Sequence, residues 1–140
     1  MAGVPDSFDF PAPPEEFLTY KEHRVISILD DPRSVQSAID DLVQAGVPAE
    51  DIYVLSGPEG AARLDLSGEH HGLRGRIYRF LEHLGDERQW LEHQGALMKR
   101  GAFGVSLPAD NESKASAAEI LTRHGGRHTA YFGKAHWETL

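Results

Sequence analysis

The sequence predicts an α+β fold, a ferredoxin-like sheet made from two β-α-β halves with a two-helix insertion between them. Three observations predict it. Short β-rich runs alternate with stretches of helical periodicity. The order strand, cap, helix, glycine, strand occurs twice. The two copies are almost equally long: Leu29 to Gly46 spans 17 positions and Leu107 to Gly125 spans 18. Two such units form an internal pseudo-repeat, and a pair of β-α-β units in one chain points to an antiparallel sheet with both helices on one face.

In the first half, residues 24–29 (RVISIL) read as a strand. Asp31 reads as an N-cap, with Pro32 at the first helical position. Val35, Ala38, Ile39, Leu42 and Val43 recur at helical spacing, Gly46 stops the helix, and Val47 supplies the apolar contact just past it. Residues 52–56 (IYVLS) form a second strand, closed by Gly57-Pro58. In the second half, residues 102–107 (AFGVSL) place Phe103, Val105 and Leu107 on one face, and Pro108 closes the strand. Asp110 or Asn111 caps a helix carrying Ala117, Ala118, Ile120 and Leu121. Gly125-Gly126 ends it, and residues 128–132 (HTAYF) form the fourth strand.

Residues 57–101 separate the halves. The stretch 57–72, rich in glycine and charge, reads as a loop. Residues 73–84 put Leu73, Ile77, Phe80, Leu81 and Leu84 on one helical face. After Gly85, Asp86 and Gln89 fit a capping box for a second helix that runs to about Arg100, with Trp90, Leu91, Gln94, Leu97 and Met98 inward. Residues 1–20 hold Pro5, Pro11, Pro13 and Pro14, four acids and no Lys or Arg, so they read as an extended acidic arm ahead of a single domain over 21–140. The arm lacks the basic start and continuous apolar core of a signal or anchor.

Composition narrows the function classes. A chain of 140 residues with 40% hydrophobic and 26% charged residues can bury one core. There is no cysteine, which removes disulfides, thiolate metal sites and a cysteine nucleophile and fits a cytoplasmic setting. No stretch approaches the ~20 apolar residues of a spanning helix, so no membrane role is expected. A net charge of −8 argues against general nucleic-acid binding, for which phosphate contacts need clustered Lys and Arg. The local exception is Arg74, Arg76 and Arg79. On a helix Arg76 and Arg79 are neighbours and Arg74 lies elsewhere, giving either an anion site beside Gly72 and Gly75 or, more ordinarily, a solvated face paired with Glu82 and Asp86.

Eight histidines raise the question of metal. His124 and His128 straddle Gly125-Gly126, and His70-His71 sit in a loop where neighbouring side chains point apart. The candidates left are His83, Glu87 and His93, set against solvated histidines as the plainer reading. Ser27, Ser56 and Ser106 lie in or beside strands without a GxSxG elbow, and the paired acids have structural explanations, so the sequence leans away from an enzyme and calls for no cofactor. At the C-terminal end, Tyr131, Phe132, Gly133 and Trp137 form an aromatic group. Strand alternation buries one of Tyr131 and Phe132 and sends the other outward or into a second layer. Packing under the inserted helices explains the group, and so does an aromatic interface between two copies.

The run VQSAIDDLVQAGVPAEDIYVLSG resembles the general stress protein 17M-like domain. So do GLRGRIYRFLEHLGDE, MKRGAFGVSLPA, AAEILTRHGG, and YFG followed by a tryptophan, which resemble its longer bacterial relatives. The resemblance covers roughly residues 23–137. It implies a small protein of the bacterial stress response and no catalytic residues. The chain departs from that pattern where Lys134-Ala135-His136 separate Gly133 from Trp137, in its acidic arm and in its histidine count.

The expectation is a non-enzymatic stress-associated interaction module that binds itself as a homodimer or another protein, with Arg76, Arg79, Trp90, Tyr131, Phe132, Gly133 and Trp137 as ligand or interface candidates. The alternative is a small-ligand or metal-binding domain with the inserted helices as a lid over the sheet. Behind both stands an enzyme using a His/carboxylate pair in that cleft.

Overall fold

The structure, a computed structural model, describes residues 23–68, 72–79, 94, 96–132 and 137–140. Strand β1 (Arg24–Leu29) is buried along its whole length. Asp31 caps helix α1 (Pro32–Gln44), its carboxylate accepting the Ser34 N–H at 3.2 Å, and Val35, Ala38, Ile39 and Leu42 are buried along one stripe. At the end of α1 the Gly46 N–H donates to Val43 O and the Val47 N–H to Leu42 O, with Gly46 at φ 108°. This is a Schellman closure, and Val47 packs against the core beside it. A 3-10 turn (Ala49–Asp51) leads into β2 (Tyr53–Ser56).

The second half closes in the same way. Strand β4 (Phe103–Pro108) precedes helix α3 (Lys114–Arg123) and strand β5 (Arg127–Phe132). Gly125 at φ 89° donates to Thr122 O and Gly126 to Leu121 O, the same hydrogen-bond pattern as in the first half. The cap differs from expectation. Ser113 holds the cap position of α3 without a side-chain hydrogen bond, while Asp110 caps the turn before it, accepting the N–H groups of Glu112 and Ser113. Those backbone donors, Ser113 first, hold the Asp110 carboxyl below its ordinary pKa.

Between the halves the expectation needs two corrections. Residues 57–72 are not a loop throughout: Pro58–Ser67 form helix α2, with Pro58 in the first turn, Ala61 and Leu64 buried, and Gly68 at φ 81° ending it. Two of the glycines that suggested a loop, Gly57 and Gly60, serve close packing instead. A Cβ on Gly60 would stand 2.9 Å from Ser56 Oγ and 3.1 Å from the Phe103 ring. Nor is 73–84 a single helix, because Arg76–Arg79 form strand β3, parallel to β2. Ile77 joins one core cluster and Tyr78 the other, the period of two that a strand imposes. Residues 94 and 96–99 are helical, as expected, and the Gly101 N–H donates to Met98 O at their end. The rest of the two expected helices, with Phe80, Leu84, Gly85 and the Asp86–Gln89 capping box, lies outside the described residues, as does the arm at 1–20.

The strands form one six-stranded mixed sheet in the order β3-β2-β4-β1-β5-β6, where β6 (Trp137–Thr139) is a strand the sequence did not suggest. All pairs except β2–β3 are antiparallel. One face carries Val25, Leu29, Phe103, Val105, Leu107 and Tyr131 against the buried sides of α1, α2 and α3. The other carries Ile26, Ile28, Leu55, Ala130 and Phe132 in a cluster with Met98 and Ala102. A sheet covered on both faces explains why RVISIL is a continuous run rather than an alternating one. Between Ile26 and Ile28 the β1–β5 register shifts by one residue, and His128 sits in that bulge at φ 53°.

Candidate functional site at the C-terminal sheet edge

Strand alternation settles Tyr131 and Phe132. Both are buried, at 3% and 2% exposure, on opposite faces of β5, so Phe132 enters the second layer rather than solvent. Tyr131 lies among a set of charged groups. Its hydroxyl is 2.9 Å from His23 Nδ1, Lys114 Nζ lies 4.7 Å from the centre of its ring, and Lys114 is paired with Glu138 of β6. Burial raises the Tyr131 pKa above its ordinary value, Lys114 opposes the rise, and Asp110 and Glu138 add to it. His23 takes a left-handed backbone at φ 65°, its N–H donating to Phe132 O and its carbonyl accepting the Ala109 N–H. That places the imidazole over the end of β5.

Among the described strands β6 pairs with β5 alone, and Lys114 of α3 reaches it through Glu138. Trp137 pairs with Phe132, Glu138 with Tyr131 and Thr139 with Ala130, and the Leu140 N–H donates to Thr129 O at 2.9 Å. In an antiparallel ladder, hydrogen-bonded pairs alternate with pairs whose backbone groups point away from each other. The Leu140–Thr129 bond puts residues 140 and 138 in the first class. The N–H and C=O groups of Trp137 and Thr139 therefore point away from β5, on the side where no further strand lies among the described residues. Glu138, Thr139 and Leu140 are exposed there.

A second polar group lies on the far side of the sheet. The Arg24 guanidinium, 7% exposed, donates to Ser106 Oγ, Ser106 O and Asp51 O and sits 4.4 Å over the Tyr53 ring, which Tyr78 meets edge-on at 4.9 Å. Gln94, 8% exposed, has an amide oxygen with no hydrogen-bond partner among the described residues.

The structure thus divides the candidates. Tyr131, Phe132 and Trp137 come together on one edge of the sheet, while Arg76 and Arg79 lie on β3 at the opposite edge. Three residues apart on a strand, positions 76 and 79 do not share a face as they would on a helix. Arg74 pairs with Asp40 of α1. Trp90, Gly133, His83, Glu87 and His93 fall outside the described residues. Among the described residues no cluster of three or more metal-ligating side chains occurs, and His124 bonds Asp41 on α1 at 2.7 Å. Ser27 and Ser106 are spent on cross-strand hydrogen bonds with Thr129 and Arg24, and Ser56 on the adjacent Gly57 carbonyl. Sequence reasoning missed His23, Lys114 and Glu138, which are far apart along the chain and carry no local signal. Among the described residues no helix is long and apolar enough to cross a membrane. Compared with models of protein families, with curated proteins and with solved structures, the chain matches none.

Proposed function

We propose that this chain is a non-enzymatic interaction module that works as a homo-oligomer, with the resemblance of its sequence to stress-associated bacterial domains giving the setting, cytoplasmic and stress-linked. We further propose that β2, β4, β1 and β5, with α1 and α3 on one face, form the ferredoxin-like unit, and that β3 and β6 extend it at either edge. The observation that carries the functional reading is β6. It is a short strand whose outward backbone groups meet no further strand among the described residues; it begins at Trp137, and exposed Leu140, 40% accessible, follows its end. Open strand edges are ready templates for pairing, and Trp is favoured at interfaces.

The test is the mass in solution, by light scattering over a concentration series, of wild type and Trp137→Ala. A dimer that weakens about tenfold or more in the variant is expected for an interface aromatic. A wild type that stays monomeric throughout sinks the reading.

A second reading, a small-ligand or metal-binding domain covered by the inserted segment, is favoured by the buried amide oxygen of Gln94, which meets no partner among the described residues. Native mass spectrometry of the same untagged protein decides it, since the bound species would leave a mass excess at stoichiometric level, and a His93→Ala control would test a metal.

A further inference from the structure

The backbone of β6 goes further than an open edge. Outward N–H and C=O groups stand at Trp137 and Thr139, either side of Glu138, so the edge is complementary to itself. An antiparallel neighbour of the same sequence, related by a two-fold axis beside Glu138, brings Trp137 opposite Thr139 of the partner subunit. Each of these pairs exchanges both backbone hydrogen bonds. This register faces one obstacle. The two Glu138 side chains fall directly opposite each other, and like charges at such a pair oppose association. The fold supplies the remedy on the same face. Lys114, from the start of α3, pairs with Glu138 and leaves that carboxylate balanced before a second one approaches. Leu140, one of the two exposed large apolar residues among those described, extends the edge.

We propose that β6 is a self-pairing edge. Two copies join antiparallel across a two-fold axis at Glu138, with Lys114 offsetting the facing carboxylates, so that the sheet continues from one copy into the other. This rests on the homo-oligomer reading above and adds the surface, the register and the ion pair that permits it.

Thr139→Pro separates the two. The Thr139 N–H points away from β5, so proline there removes a donor from the edge and none from the fold. Sedimentation equilibrium on the full chain should show dimer dissociation raised about tenfold or more, since the substitution deletes one bond from each copy. Far-ultraviolet circular dichroism should be unchanged. Lys114→Ala should loosen the dimer about two- to fivefold by leaving the facing carboxylates unbalanced, and adding Glu138→Gln in that background should restore it. In wild type, the amide exchange of Trp137 and Thr139 should slow as concentration rises through the dimer range, a measurement that needs no variant. A monomeric wild type overturns both this proposal and the reading beneath it. A wild-type dimer overturns this proposal alone if its dissociation shifts less than about twofold in Thr139→Pro and Lys114→Ala, or if the exchange of those two amides is independent of concentration.

Discussion

Gly126 follows the left-handed Gly125 at the end of α3, and a Cβ there would stand 2.6 Å from Ser27 Oγ and 2.7 Å from the Leu121 carbonyl oxygen. A serine hydroxyl can rotate away, but a helix carbonyl cannot. Gly126→Ala should therefore cost about 1–3 kcal/mol by overpacking, read from urea denaturation midpoints. A loss within error of zero would show that α3 does not close on β1 as described. Tyr131 carries a pH dependence. Its raised pKa means the unfolded chain releases the phenolic proton first, so the folded state binds more protons in that window. Stability from this group is complete below the ordinary tyrosine value of about 10 and is lost as pH rises through the folded value. Tyr131→Phe should flatten the alkaline limb of a stability–pH profile relative to wild type. An unchanged limb would mean that Tyr131 is not desolvated. The same substitution removes the hydroxyl that meets His23, so a lower plateau at neutral pH is expected as well. The sequence put Tyr131 in a strand and gave no hint of His23 or Lys114, because neither hydrogen bonding nor cation–aromatic contact leaves a periodic trace.

Among elements, the two helices of the repeat were legible, and the first part of the insertion, residues 57–79, was not. Helix α1 announces itself by Asp31-Pro32, a stripe at helical spacing and Gly46, and all three signals are local. Helix α2 offers weaker ones. Its glycines look like loop residues until Gly57 and Gly60 are seen against Met98 O and the Phe103 ring. Strand β3 was misread because Leu73 and Ile77 are four apart, which suits a helix. In the structure Ile77 faces the three-helix layer while Leu73 packs against the same cluster from the preceding loop. Tyr78, between the expected apolar positions, was the overlooked signal, since it packs on the other face. The helical segment that ends at Gly101 tightens the second face through Met98, whose sulfur would meet a Cβ on Gly104 at 3.2 Å. Met98→Ala should destabilise by about 2–5 kcal/mol through the cavity it leaves, measured by thermal or chemical unfolding. A loss below about 1 kcal/mol would place that segment outside the cooperative core.

At the scale of the whole molecule, the sheet is what relates the candidates to one another. Its order sends Arg76 and Arg79 to one edge and the aromatic group to the other, which parts residues the sequence offered together as one set of candidates. It also leaves β6, the shortest strand, as the last on its side among the described residues. The sequence by itself determined the two β-α-β halves, the Asp31 cap and the glycine stops, the apolar stripe of α1, the shared face of Phe103, Val105 and Leu107, and the α+β class. Each of these rests on interactions within a few residues, or on a period that the backbone geometry fixes. Only the tertiary structure decided the strand order, the parallel pairing of β3, the second covered face that takes Phe132, and the cluster of His23, Lys114 and Glu138 around Tyr131. These depend on contacts between residues as far apart as 108 positions, and sequence periodicity cannot report which distant segment supplies the other half of a contact.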